Sequence, residues 1–132
     1  MVTIELNKDL KEPAYLCGRI FSVFDRLQYL AQGEVNADVV GRFYASACVT
    51  PALVMGRLFR NAQFHLSKLK QSKGGAAWNL EKDFEVLTNE LKEWPKALNL
   101  EGQGMFALGY YHQRADYTRQ SLERKNVKEE GQ

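Results

Sequence analysis

The chain has 132 residues, enough for one domain that buries roughly two-thirds of the surface its unfolded form exposes, so neither disulfides nor a structural metal is required for stability. Apolar residues make up 45% and charged residues 26%, which excludes a disordered or collagen-like chain. Eighteen basic against sixteen acidic residues leave a formal charge of +2, a total too small to point to any partner.

Residues 1–12 read as an N-terminal extension, with a short extended segment at most in the first eight. From Pro13, apolar residues recur at Leu16, Ile20, Val23, Phe24, Leu27 and Leu30, one face of a helix that reaches about Ala31 and ends at Gly33. Asn36 is the expected cap of a second helix, with Asp38 in its positive first turn and Val39, Val40, Phe43, Tyr44 and Ala47 turned inward. Thr50-Pro51 reads as a cap and first helical residue, opening a third helix that runs to about Ser72 and is closed by Gly74-Gly75. A fourth is expected from Asn79 as cap through Leu80, Phe84, Leu87, Leu91 and Trp94, with Pro95 as the stop. Asn99 caps a fifth, with Leu108, Tyr111, Ala115 and Leu122 on one stripe. Residues 125–132 are expected to be a frayed or disordered tail. The resulting fold class is all-α, a single-domain bundle of about five helices spanning residues 13–124.

Cys17 and Cys48 are too few and too isolated for a secreted disulfide framework and read as small buried groups in a reducing compartment. No apolar run has the length of a signal peptide or of the roughly 20 residues of a membrane span, so a cytoplasmic location is expected. Phosphate loops, dinucleotide fingerprints, nucleophile elbows and HExxH are all missing from the sequence. His65 and His112 lack a second ligand at helical spacing, so no metal or cofactor is expected. Asp25, Glu34 and Asp38 read as solvated or capping residues, and the acids of the fourth helix as its polar face. An enzyme is not expected.

The near-zero total hides an asymmetry. Residues 39–80 contain no acidic side chain and six cations: Arg42, Arg57, Arg60, Lys68, Lys70 and Lys73. Residues 81–93 follow with five acids and two lysines. On a wheel of about 100° per residue, Met55, Leu58, Phe59, Ala62, Leu66 and Leu69 of the third helix face inward, and Arg57, Arg60, Asn61, Lys68 and Gln71 gather opposite, with Phe64 among them. Such a face admits two readings. In one, cations for phosphates and a ring for a base suit a nucleic-acid-tracking surface; in the other, which the residues by themselves favour, the charges are a solvated face and Phe64 packs on a neighbouring subunit or loop. A second basic group, Arg114, Arg119, Arg124, Lys125 and Lys128, is interspersed with Asp116 and Glu123 and reads as solubility and helix-end electrostatics.

Four segments carry a family resemblance: PAYLCGRIFSVFDRLQ at 13–28, FYASACVTPALVMGRL at 43–58, HLSKLK at 65–70 and, most specifically, LEGQGMFALGYYHQR at 100–114. In order and spacing they resemble the C-terminal helical domain of the type I-C CRISPR Cascade large subunit, which in that family is also made separately, by internal translation, as the small subunit. A chain with its own Met ahead of PAY is similar to that stand-alone product. The resemblance implies a non-catalytic part in RNA-guided antiviral defence: helping assemble the effector and stabilising the R-loop, chiefly the displaced non-target strand. Its implied partners are the large subunit, the backbone subunits, further copies of itself, the CRISPR RNA of the complex and target DNA, with no membrane and no small-molecule substrate. Reading of the protospacer-adjacent motif belongs in the family to the N-terminal part of the large subunit, and cleavage to a recruited nuclease-helicase. For DNA contact the expected residues are Arg57, Arg60 and Lys68, then Arg42, Lys70 and Lys73, with Phe64. Gly104, Phe106, Leu108, Gly109, Tyr110 and Tyr111 are expected to fix the docking of the fifth helix, and His112, Gln113 and Arg114 are open to either a contact or a hydrogen-bonding role. The alternative function is a purely architectural spacer, in which the basic face meets the acidic helix, with Glu81, Glu85 and Glu93, of the next copy.

Overall fold

The computed structural model describes residues 5–33 and 38–130, with side chains to residue 126; Glu34 and Asn36 therefore lie outside the described residues. Five helices follow in order: α1 (Pro13–Gln32), α2 (Val39–Val49), α3 (Pro51–Ser72), α4 (Gly74–Leu91) and α5 (Leu100–Glu130), with no strand among the described residues. The expected all-α bundle is what the chain forms.

Pro13 starts α1 with a preset φ, and Gly33 ends it in the left-handed region at φ 75°, its N–H bonded to the Tyr29 carbonyl at 2.7 Å. The sequence marks one apolar face on this helix, but every residue from Ala14 to Phe24 is buried, Arg19 and Ser22 included. The reason is position: α1 is the axis of the bundle and packs against each of the other four helices.

Its closest neighbour is α5. A Cβ on Gly18 would fall against the Phe106 carbonyl oxygen and 2.8 Å from the Tyr110 nitrogen; one on Gly109 would fall against the Tyr15 carbonyl oxygen and 3.2 Å from the Arg19 nitrogen. Backbone thus lies on backbone, which only glycine at both positions permits. Polar pairs line the same seam. The Tyr15 hydroxyl accepts the Asn7 N–H at 3.0 Å and shares a hydrogen bond with His112 Nδ1 at 2.8 Å. Arg19 Nε donates to Gln113 Oε1 at 2.9 Å, and the Tyr110 hydroxyl to Asp25 at 3.2 Å. Phe21, Tyr44, Phe106 and Tyr110 meet beside it with ring centroids 5.5–5.7 Å apart.

The inward stripe of α5 is consequently Phe106, Gly109, Tyr110, Gln113 and Tyr117, while Leu108, Tyr111 and Leu122 are exposed. This corrects the stripe expected from apolar spacing, because a glycine and a glutamine carry two of the seam positions and neither registers as hydrophobic. Asn99 does cap α5, accepting the Gly102 N–H at 2.8 Å. The helix runs on to Glu130, past the bundle boundary expected at 124.

Four other boundaries differ from expectation. Asp38, not Asn36, caps α2: its carboxylate accepts the Gly41 N–H at 2.6 Å, and Gln28 of α1 accepts the Val39 N–H at 2.7 Å. Thr50 precedes Pro51 as expected, but its hydroxyl turns back to the Ser46 carbonyl at 3.1 Å and closes α2 rather than capping α3. α4 begins at Gly74, five residues before the expected cap Asn79. A single residue, Lys73, makes the turn, and the buried Ala77 holds the glycine-rich first turn helical against its weak propensity. The same helix stops at Leu91, ahead of Pro95, because Lys92 takes a left-handed φ of 71°. Residues 92–99 then fold over the α2–α3 corner, with Leu98 N–H bonded to the Val49 carbonyl and Ala52 N–H to the Pro95 carbonyl, each at 2.9 Å.

Candidate nucleic-acid interface

On α3 the wheel expectation holds. Met55, Leu58, Ala62, Leu66 and Leu69 are buried, and Phe59 packs on the core with its ring stacked on Phe84 of α4 at 5.1 Å. Arg57, Arg60, Asn61, Phe64, Lys68 and Gln71 are all exposed. Phe64 is 62% exposed and its ring lies 5.7 Å from the Lys68 ammonium, one helical turn away. Among the described residues, Arg57, Arg60 and Lys68 form no ion pair.

The remaining expected residues do not share that face. Lys70 is turned toward α4, where its ammonium meets Glu81 at 3.0 Å, so its charge is partly answered within the chain. Lys73 stands at the α3–α4 turn. Arg42 sits on α2, exposed, with its guanidinium 5.0 Å over the Phe43 ring.

His65 is buried beside Phe64, and its Nδ1 has no hydrogen-bond partner. Burial, and secondarily the Lys68 charge, push its pKa down, so the ring adds no charge to the face at neutral pH. His112 is tied to Tyr15 and Gln113 to Arg19, which makes both parts of the α1–α5 seam; Arg114 is exposed.

Asp25 is not a solvated acid, contrary to expectation. It is half-buried, desolvation raises its pKa against the opposing hydrogen bond from Tyr110, and it lines a cleft of about 580 Å³ with Arg26, Tyr29, Asp38, Tyr110 and Arg114. Charges of both signs face that cleft, so it lacks the one-signed field that attracts a phosphate. Asp83 is likewise half-buried under the Tyr117 hydroxyl at 2.9 Å. Cys17 is buried in the core, its thiol pushed up to about 12 by desolvation, and the Cys48 thiol points at the Gln103 carbonyl at 3.6 Å. Among the described residues no group of His, Cys, Asp and Glu is placed to hold a metal, and no helix is long and apolar enough to cross a membrane.

Trp78 is not among the residues that the sequence pattern marks for DNA contact. Taking Asn79 as a cap leaves Trp78 outside the helix, whereas the start of α4 at Gly74 puts Trp78 and Lys82 one turn apart, both exposed. The aromatic-to-lysine spacing of four residues, the same as Phe64 to Lys68, is the signal that was there to be read.

Residues 1–118 match the model of the CRISPR-associated protein (Cas_Csd1) family. The chain belongs to that family. Cas_Csd1 membership bears out the resemblance carried by the four segments between residues 13 and 114: a Cas protein of the type I-C kind and a small Cascade component. No curated protein matches the chain significantly.

Proposed function

We propose that this Cas_Csd1 chain is a non-catalytic small subunit of type I-C Cascade that supports assembly of the effector and steadies the R-loop, holding the displaced non-target strand on the outer face of α3. The observation that carries the reading is the unpaired cationic set Arg57, Arg60 and Lys68 around the exposed Phe64 ring. Guanidinium and ammonium groups at successive turns follow a phosphate backbone, and a free ring takes an unpaired base without regard to sequence. Guide pairing supplies the specificity, so shape and charge suffice on the protein side. Arg42, Lys70 and Lys73 widen the positive field without lying on the same face. The assembly role is supported by large apolar side chains exposed elsewhere, Val49, Leu53, Leu100, Leu108 and Tyr111, which suit contacts to other subunits.

A change of Arg57, Arg60 and Lys68 together to Glu tests the reading in the assembled complex. Helicity and assembly are expected to persist while R-loop formation weakens. The slope of log affinity against log salt should also flatten, by about 0.7–0.9 for each phosphate that the protein no longer neutralises. Unchanged target binding across a salt series removes the assignment. The spacer reading, in which α3 meets an acidic face of another copy, draws on the exposed Glu85 and Glu93, Glu81 being engaged by Lys70 of its own chain.

A further inference from the structure

We propose that the strand held by α3 continues onto α4 and stacks a base on Trp78, with Lys82 and Lys73 meeting its phosphates; this rests on the reading of the α3 face just given. Trp78 is 59% exposed in the regular part of a helix, and the Lys82 ammonium stands 4.8 Å from its ring. Phe64 and Lys68 repeat that arrangement on α3. The two helices are antiparallel, joined by Lys73 alone, and their register is fixed by the Lys70–Glu81 pair and the Phe59–Phe84 stack. At about 1.5 Å of rise per residue and 8–10 Å between axes, the Phe64 and Trp78 rings stand roughly 15 Å apart, a distance that a few nucleotides span.

Charge favours a polyanion as the occupant. No acid precedes Glu81 in this part of the chain, and the Glu81 carboxylate is held by Lys70. Lys73 and Lys82 are both exposed, and Glu85 is the next free carboxylate, two turns along α4 from Trp78. A ring set among lysines differs from the exposed aliphatic side chains Val49, Leu53 and Leu100, which carry no charge of their own and suit protein contacts. Stacking is also indifferent to base identity, as a strand of arbitrary sequence demands.

The chain has two tryptophans, and Trp94 packs against the core, so it serves as an internal reference. The full chain, at low salt, is titrated with a single-stranded oligodeoxythymidine of about 20 nucleotides, reading indole emission and the anisotropy of a labelled oligomer in parallel. Emission is expected to fall on binding. Trp78→Ala should weaken affinity about fivefold to tenfold, while Trp78→Phe keeps the ring and most of the affinity but loses the emission change. Binding without any emission change overturns the Trp78 contact and leaves the α3 reading standing. Emission that falls with affinity undiminished by the triple Glu change overturns the α3 reading and leaves the Trp78 contact. An oligomer that does not bind at low salt overturns both.

Discussion

Two glycines of the same chain should respond oppositely to the same change. Gly109 sits where α5 crosses α1, and a Cβ there falls against the Tyr15 carbonyl oxygen and 3.0 Å from its carbon, while Gly56 in α3 has nothing within 4 Å. For Gly109→Ala both clashing groups are main chain, so no rotamer change relieves the overlap and the helices must part by about an ångström. Parting them loosens Phe21, Phe106 and Tyr110, whose rings meet at the crossing. Overpacking of this kind costs about 1–3 kcal/mol, occasionally more, and with no flexible neighbour the upper end applies. Improved helix propensity returns up to about 1 kcal/mol, leaving a net loss of about 2 kcal/mol. At about 3–5 °C per kcal/mol for a domain of this size, the melting temperature should fall by about 6–10 °C. Gly56→Ala gains the propensity term alone and should raise it by up to about 3–5 °C. Thermal melts followed by far-ultraviolet circular dichroism read both. A Gly109→Ala chain that melts at or above the wild-type temperature refutes the close crossing of α1 and α5.

Other expectations test the same seam and the buried groups. Gln113→Ala leaves the Arg19 guanidinium, 7% exposed, without its hydrogen-bond acceptor and should cost about 2–4 kcal/mol in a denaturant titration; a loss under about 0.5 kcal/mol contradicts the role given to the pair. Burial raises the Asp25 pKa, so the folded state holds that proton more tightly than the unfolded one. The stabilisation this gives is complete below the ordinary carboxylate value of about 3.9 and is lost as pH rises through the raised folded value. Asp25→Asn keeps an acceptor for Tyr110 and abolishes the titration, so its stability relative to wild type should improve from about pH 4 toward neutrality; a constant difference contradicts the assignment. Cys17, fully buried with its thiol pushed up to about 12, should resist iodoacetamide in the native chain and react once denatured, as read by mass spectrometry; rapid native labelling contradicts its place in the core.

How far the sequence discloses this molecule depends on what each position contributes. The bundle and the inner face of α3 follow from apolar spacing, since Met55, Leu58, Ala62, Leu66 and Leu69 are packed by their own side chains. The α1–α5 seam does not follow, because Gly18, Gly109, Arg19 and Gln113 act there through absence of a side chain or through one hydrogen bond, neither of which hydrophobic periodicity detects. Helix ends misled for a similar reason. Gly74-Gly75 looks like a break, yet tertiary burial of Ala77 carries the helix through it, and Lys92, an unmarked residue, supplies the left-handed stop. At the candidate site, the cationic face was legible from the gap in acidic residues, whereas the pairing of Lys70 with Glu81 and the exposure of Trp78 depend on how α4 lies against α3.

Whether the outer face of α3 touches DNA is tested most directly by a crosslink from its centre. Benzoylphenylalanine placed at Phe64, a side chain already exposed and aromatic, can be photoactivated in the assembled complex bound to a target with separately labelled strands. A crosslink to the displaced strand is expected; crosslinks to protein alone, with the R-loop formed, would contradict DNA contact at this face.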